Sequence, residues 1–231
     1  EFTMDLRPLT IDAAENLLEV GCGDGRLSEA ILSAFHKLKV TAFDLSTEMV
    51  SLTKARLSKY PSDRFTVTDG DADTMDTYEA SSFERYIANF VLHLTPDPEK
   101  MLKQAYRVLK TGGIAGFTVW GRPENSPYFT LVVQIMDELG IPQDKSTRSN
   151  FHLSDDVKLR QMVKDAGFTT VKSYYTTTPM DSYMDLEKQV SRFFVRSILL
   201  DKLSSEHRTA LLAELSKRVD AILKSGTVIT F

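Results

Sequence analysis

One cysteine in 231 residues, Cys22, excludes an intrachain disulfide and leaves no Cys-x-x-Cys pair for a structural zinc site. The expectation is a reducing, cytoplasmic setting and no metal. Basic runs are missing too: no stretch of five or more Lys and Arg occurs, and 28 Lys and Arg against 32 Asp and Glu give a formal net charge of −4. Nucleic acid and other large polyanions are therefore poor partners. No apolar run approaches the roughly 18 residues that cross a bilayer, so no transmembrane segment is expected. The first residues also lack the basic and apolar regions of a signal peptide. Glu1, Phe2 and Thr3 precede Met4 and read as a cloning remnant, and 227–231 stops inside an apolar, β-prone run, so a chain trimmed at both ends is expected.

Glycine and proline are few, at 11 and 8, while 42% hydrophobic and 26% charged residues give the composition of an ordinary globular protein. The length suits one large α/β domain with insertions and is cramped for two.

The first half alternates short β-prone runs with amphipathic stretches, which predicts a parallel sheet covered by helices on both faces. Residues 17–20 read as a buried strand ended by Gly21; Leu27, Ala30, Ile31, Ala34 and Phe35 then recur at helical spacing. A strand at 40–43, a Ser46 cap, a helix over 49–57 and a third strand at 64–68 follow. The fourth strand falls at 86–90. Pro96-Asp97-Pro98 opens a helix with an inner stripe of Met101, Leu102, Ala105, Tyr106 and Leu109, Gly112-Gly113 ends it, and a fifth strand runs over 114–120. Beyond it come a helix from Ser126-Pro127 to near Gly140, one capped by Ser154 that stops at Gly167, and a sixth strand at 168–176. Two helices follow within 182–224, one carrying Leu186, Val190, Phe193 and Phe194, the other Leu211, Leu212, Leu215, Val219 and Ile222. A seventh strand is expected at 228–231. No repeat or linker divides the chain. The expected architecture is one doubly wound α/β domain over 1–231, with a mostly parallel seven-stranded sheet and helical insertions in the C-terminal half.

Chemistry concentrates where the first strand meets the first helix, in Leu17-Leu18-Glu19-Val20-Gly21-Cys22-Gly23-Asp24-Gly25-Arg26-Leu27. Three glycines at alternate positions let the backbone turn sharply and leave bare main chain beside a helix N-terminus, a nucleotide or nucleoside site. A dinucleotide-binding Gly-x-Gly-x-x-Gly requires glycine where this chain has Arg26. Acidic residues close the next two strands: Asp44, and Asp71 within Asp69-Gly70-Asp71-Ala72. Each alone reads as a turn or cap residue. In register they converge with Glu19 on one crevice.

Glu-Val-Gly-Cys-Gly-Asp-Gly resembles motif I of the class I S-adenosylmethionine-dependent methyltransferases. Asn89-Phe90-Val91-Leu92-His93-Leu94 and Tyr106-Arg107-Val108-Leu109-Lys110-Thr111-Gly112-Gly113 resemble the ubiquinone/menaquinone-biosynthesis type and its small-molecule relatives. The resemblance implies a Rossmann-like fold and S-adenosylmethionine as cofactor, with S-adenosylhomocysteine as product. It implies that Gly21, Cys22, Gly23 and Gly25 cradle the methionyl part and that Glu19 holds the ammonium. Asp44 then serves the ribose, Leu45 and Met49 flank the adenine, Asp71 with Ala72 meets its amino group, and Asn89 and Phe90 line the methionine end. A sulfonium and an ammonium favour carboxylates over the arginines a pyrophosphate needs. Glu84-Arg85 and Thr111 depart from the family pattern without touching these positions.

Asn89-Phe90-Val91-Leu92 replaces the Asn-Pro-Pro-aromatic segment of enzymes that methylate exocyclic or amide nitrogens. Cys22 lies in the glycine turn, where cytosine C5 chemistry has no use for it, and reads as a packing residue. Acceptor-side candidates are Trp120, Arg122, Asn125 and Tyr128, with His93 and His152 as candidate general bases. The expectation is an enzyme that methylates a small or lipid-like metabolite by in-line displacement, with 125–152 and 182–224 as acceptor-side insertions. Alternatives are a cofactor-binding regulator or partner subunit without turnover, a methyltransferase acting on a protein, and a nucleotide-dependent oxidoreductase.

Overall fold

The computed structural model describes residues 7–142, 148–176 and 203–224. They form two compact units. The first comprises the described residues up to Trp120 together with Asp155–Ser173; the second comprises those of Gly121–Ser154 and those from Tyr174 onward.

The first unit is built on five parallel strands in the order β3-β2-β1-β4-β5: β1 Asn16–Val20, β2 Lys39–Asp44, β3 Phe65–Asp69, β4 Phe83–Asn89 and β5 Leu109–Thr118. Between them run α1 Arg26–Ala34, α2 Thr47–Leu57 and α3 Pro98–Val108, and α5 Asp156–Asp165 lies against α3. Right-handed crossovers place α1 and α2 on one face of the sheet and α3 on the other, because the chain winds from β1 towards β3 and then from β4 away from it. Leu17, Leu18, Glu19 and Val20 are all buried, as befits a central strand covered on both sides. Leu17, Ile31, Leu32, Leu38, Val40 and Leu57 form the centre of the core beneath α1 and α2.

Several expectations change. Among the described residues the sheet has five strands, not seven. Residues 168–176 form no strand: the Phe168 ring packs edge-on against Tyr106 at 5.4 Å and Phe117 at 6.3 Å, and 172–176 are exposed. The proposed strand at 228–231 and the helix carrying Leu186 to Phe194 lie outside the described residues. Gly112-Gly113 does not end α3, which stops at Val108 with Leu109 already extended. The glycines sit inside β5, where pairing jumps from Phe83↔Leu109 to Arg85↔Ile114 and Gly112 takes φ +79°. Ala30 and Ala34 face solvent, and Ser28 takes the buried place beside Ile31 and Leu32. Tyr106 is half exposed rather than core. Asp155, not Ser154, caps α5, accepting from Val157 and Lys158.

In the second unit α4, Pro127–Glu138, and the last helix, α6 Ser205–Lys224, pack together. Val132, Ile135 and Met136 are buried on α4, and Leu211, Leu215 and Val219, at i, i+4 and i+8, on α6. Arg218 joins them by pairing with Glu138 and, at 2.9 Å, with Glu214. Among the described residues no helix is long and apolar enough to cross a membrane.

Arg85 explains how the segment before β1 is held. Its buried guanidinium donates to the Leu9 carbonyl at 2.5 Å, the Thr10 carbonyl at 3.0 Å and the Thr10 hydroxyl at 3.1 Å, pinning a stretch whose Leu9 and Ile11 enter the core. Arg85→Met leaves these carbonyls without donors, which costs about 2–3 kcal/mol. The expected outcome in urea is a lower unfolding midpoint at unchanged slope; an unchanged midpoint removes Arg85 from the account of stability.

Candidate functional site

The strand order places β1 between β2 and β4, so the chain reverses direction across the sheet there, and a crevice opens at the carboxyl ends of β1 and β4. Motif I crosses it. The Gly21 and Cys22 N–H groups both donate to the Phe43 carbonyl, at 2.8 and 3.0 Å, which bends the loop over the end of β2. Gly21 has φ +66°, and a Cβ there meets a Val91 methyl at 2.4 Å, so no other residue fits. A Cβ on Gly23 meets nothing within 4 Å: this is the bare main chain that a ligand can lie against.

Asp44 organises the surroundings of that loop. Its Oδ2 accepts from the Gly23 N–H at 2.8 Å and its Oδ1 from the Ser46 N–H at 2.9 Å, while Ser46 caps α2 by accepting from Met49. Leu45 beside it is 79% exposed, an unusual place for a leucine unless something apolar covers it. Met49 is half-buried. Asp71, exposed in the loop after β3, accepts from the Asp73 N–H at 2.8 Å. Burial and the charge of Asp71 hold the Asp73 carboxyl above its ordinary range.

Glu19 is fully enclosed under the loop, and its carboxylate accepts a short hydrogen bond from the Ser28 hydroxyl on α1. Burial pushes its pKa up to about 7, aided by Asp44 and opposed by Ser28. Among the described residues neither Glu19, Asp44 nor Asp71 pairs with a Lys or Arg. The nearby cations are used otherwise: Arg26 pairs with Asp24, and Arg56 reaches from α2 to the Asp24 carbonyl, the Asp24 carboxylate and Glu29. The crevice thus offers carboxylates without protein counterions, a donor set suited to a cationic ligand.

Across the crevice, β4 ends in Asn89, whose Oδ1 accepts from the Thr118 hydroxyl at 2.7 Å. Phe90, His93 and Trp120 cluster beyond it. The Phe90 and Trp120 rings lie 4.5 Å apart, and the His93 ring stands edge-on to both at 6.3 and 6.2 Å and is only 4% exposed.

Cys22 is buried with its thiol 3.6 Å from the Thr53 hydroxyl, and burial pushes its pKa up to about 11, so it stays protonated and serves packing. Ala72 is half-buried beside Asp71. Arg122 and His152 belong to the second unit, where Arg122 lies over the Tyr175 ring at 4.4 Å and the Tyr175 hydroxyl donates to Ser154. Asn125 closes a single 3-10 turn, and Tyr128 falls in the first turn of α4, its side chain outside the described residues. Sequence reasoning missed Ser28, Thr53, Arg56 and Thr118. Ser28 and Thr53 carried a legible signal, since each is a lone hydroxyl on a stripe that is otherwise apolar.

A methyltransferase-domain family model matches residues 17–113. Residues 17–113 thus carry a methyltransferase domain. The chain is 28% identical over 183 residues to a demethylmenaquinone methyltransferase of Oceanobacillus iheyensis, covering 73% of this chain and 76% of that one. It is 31% identical over 117 residues to malonyl-[acyl-carrier protein] O-methyltransferase 1 of Ilyobacter polytropus, covering 50% of this chain and only 41% of that protein. In three dimensions it shares its fold with a candidate methyltransferase from Bacillus halodurans, at a TM-score of 0.60 and 21% identity, over 98% of this chain and 94% of that one. S-adenosylmethionine is the cofactor of this family, and the methyltransferase's crevice fits it on the two observations above, the open main chain at Gly23 and the acids without counterions.

Glu19 makes a pH prediction for the ligand-free methyltransferase. Its folded pKa lies above its ordinary 4.5, so its stabilising contribution is fully present below about pH 4.5 and is lost as pH rises through about 7. The loss is on the order of 3 kcal/mol. Glu19→Gln removes this dependence. Parallel stability profiles for the two proteins between pH 5 and 8 contradict the assignment.

Proposed function

We propose that this chain transfers the methyl group of S-adenosylmethionine to a small or lipid-like metabolite. The observation that carries the reading is the group of acids without counterions, Glu19, Asp44 and Asp71, around an open glycine loop. The relatives named for demethylmenaquinone and malonyl-[acyl-carrier protein] support the acceptor class, and the single buried cysteine suits a cytoplasmic setting. Bound in the crevice, the cofactor supplies an electrophilic methyl group on a cationic sulfur.

The chain's residues bind, orient and exclude water. Glu19, relieved of its proton, pairs with the ammonium of the amino-acid end, while Gly21, Gly23 and Gly25 give that end main chain to lie against. Asp44 is held by two N–H donors and keeps further lone pairs for ribose hydroxyls. Leu45 and Met49 flank the adenine, and Asp71 with Ala72 meets its amino group. Phe90 and Trp120 form a dry aromatic wall at the methyl-transfer end, where alignment of acceptor and leaving sulfur within about 3 Å supplies most of the rate. His93, set edge-on against this wall, is the candidate base for an acceptor that must lose a proton. The chain is read as one methyltransferase domain, in which 125–152 and 182–224 carry acceptor recognition, with Arg122, Tyr128 and His152 as candidates.

Calorimetric titration tests the reading: S-adenosylmethionine binds and a nicotinamide dinucleotide does not, and no binding of the first overturns it. Gly23→Ala weakens that binding at least tenfold while stability falls by only about 1 kcal/mol, the cost of a left-handed alanine. Turnover in a metabolite methylation screen separates an enzyme from a regulator that only binds. With the acceptor found, full turnover by His93→Ala or His152→Ala eliminates that histidine as the base.

A further inference from the structure

Phe90 is a non-glycine residue with φ +57°, a conformation that persists only where neighbours enforce it. The neighbour is Thr118, the last residue of β5. The Phe90 N–H donates to the Thr118 hydroxyl at 2.8 Å and to the Thr118 carbonyl at 3.2 Å, and the same hydroxyl donates to Asn89 Oδ1 at 2.7 Å. These directions are mutually dependent. A hydroxyl that accepts from Phe90 must send its one proton elsewhere, and Asn89 Oδ1 is the acceptor it reaches. With the carboxamide turned the other way, two donors face each other and the hydroxyl proton loses its partner. Thr118 therefore holds the Asn89 oxygen towards β5, and the carboxamide NH2, which makes no hydrogen bond among the described residues, is what the end of β4 has left to offer.

Its place in the sheet says what that donor meets. β1 and β4 pair with Glu19 opposite Ile87, so Asn89 lies two residues further along, at the same switch point. The amino-acid end of the cofactor is a zwitterion: its ammonium needs an anion, which Glu19 supplies, and its carboxylate needs a donor. Arg26 and Arg56 are both engaged with Asp24. We infer that Thr118 is a positioning residue that sets the Asn89 carboxamide as the donor to the carboxylate of the bound cofactor. This rests on the methyltransferase reading of the site.

Two nucleosides test it by calorimetry: S-adenosylhomocysteine, which carries the amino-acid end, and 5′-methylthioadenosine, which lacks it. Thr118→Val keeps the side-chain shape and the carbonyl that receives the Phe90 N–H. It weakens S-adenosylhomocysteine binding about tenfold, the worth of one hydrogen bond to a charged group, and leaves methylthioadenosine within twofold. Thr118→Ser restores the first affinity. In a double-mutant cycle, adding Thr118→Val to Asn89→Ala costs nothing further, because the threonine acts through the asparagine. Equal losses for both nucleosides, additive losses in the cycle, or an unaltered S-adenosylhomocysteine affinity each overturn the inference while the methyltransferase reading survives. A wild-type chain that binds neither nucleoside overturns both. Thermal melts of each variant confirm that folded protein is being compared.

Discussion

The Asp44 carboxylate is shared between two backbone donors from different elements, Gly23 in the loop after β1 and Ser46 at the start of α2, and most of the crevice takes its shape from that sharing. A loop of three glycines has little intrinsic preference for one conformation, because glycine gives up more backbone freedom on ordering than any other residue. Charge-assisted bonds to fixed N–H groups make that ordering affordable. The Asp44 carbonyl also receives the Gly70 N–H at 3.1 Å, so the loop after β3 is tied to the same residue. Three strand ends are thus located by one side chain and its main chain.

From the helix side the loop is held by different chemistry. Thr53 donates to the Gly23 carbonyl at 2.7 Å, and Arg56, one turn on, grips Asp24 and Glu29. These contacts use up the positive charge near motif I within the protein itself. Cationic side chains anchor the rim, and the interior is left to Glu19 and Asp44, a division that suits a positively charged ligand and disfavours a pyrophosphate.

Much of this was legible in the sequence, for physical reasons that differ by element. β1 and β2 are short apolar runs closed by glycine and by acid, and the acids at the ends of β1, β2 and β3 announced a shared crevice because parallel strands converge there. The Ser46 cap and the helix start at Pro96-Asp97-Pro98 were legible because helix starts demand such side chains. The sheet's far edge was not. Phe168 has the β-prone character of a strand residue, but its ring packs against Tyr106 and Phe117 while its backbone joins no ladder. The slip of pairing around Gly112 is equally invisible, since a glycine pair ends helices and interrupts strands alike. Thr118 escaped notice because its role depends on the left-handed Phe90, and no sequence pattern announces φ +57° at a phenylalanine.

Gly21 and Val91 meet so closely that an added carbon on the glycine lands 2.4 Å from the valine's methyl. The turn that carries motif I and the turn that carries Phe90 and His93 are therefore separated by one methyl group. Neither can shift towards the other, and a bulkier residue at either position has to displace its opposite number. The two sides of the crevice therefore move together or not at all, and a substitution at position 21 or 91 disturbs both.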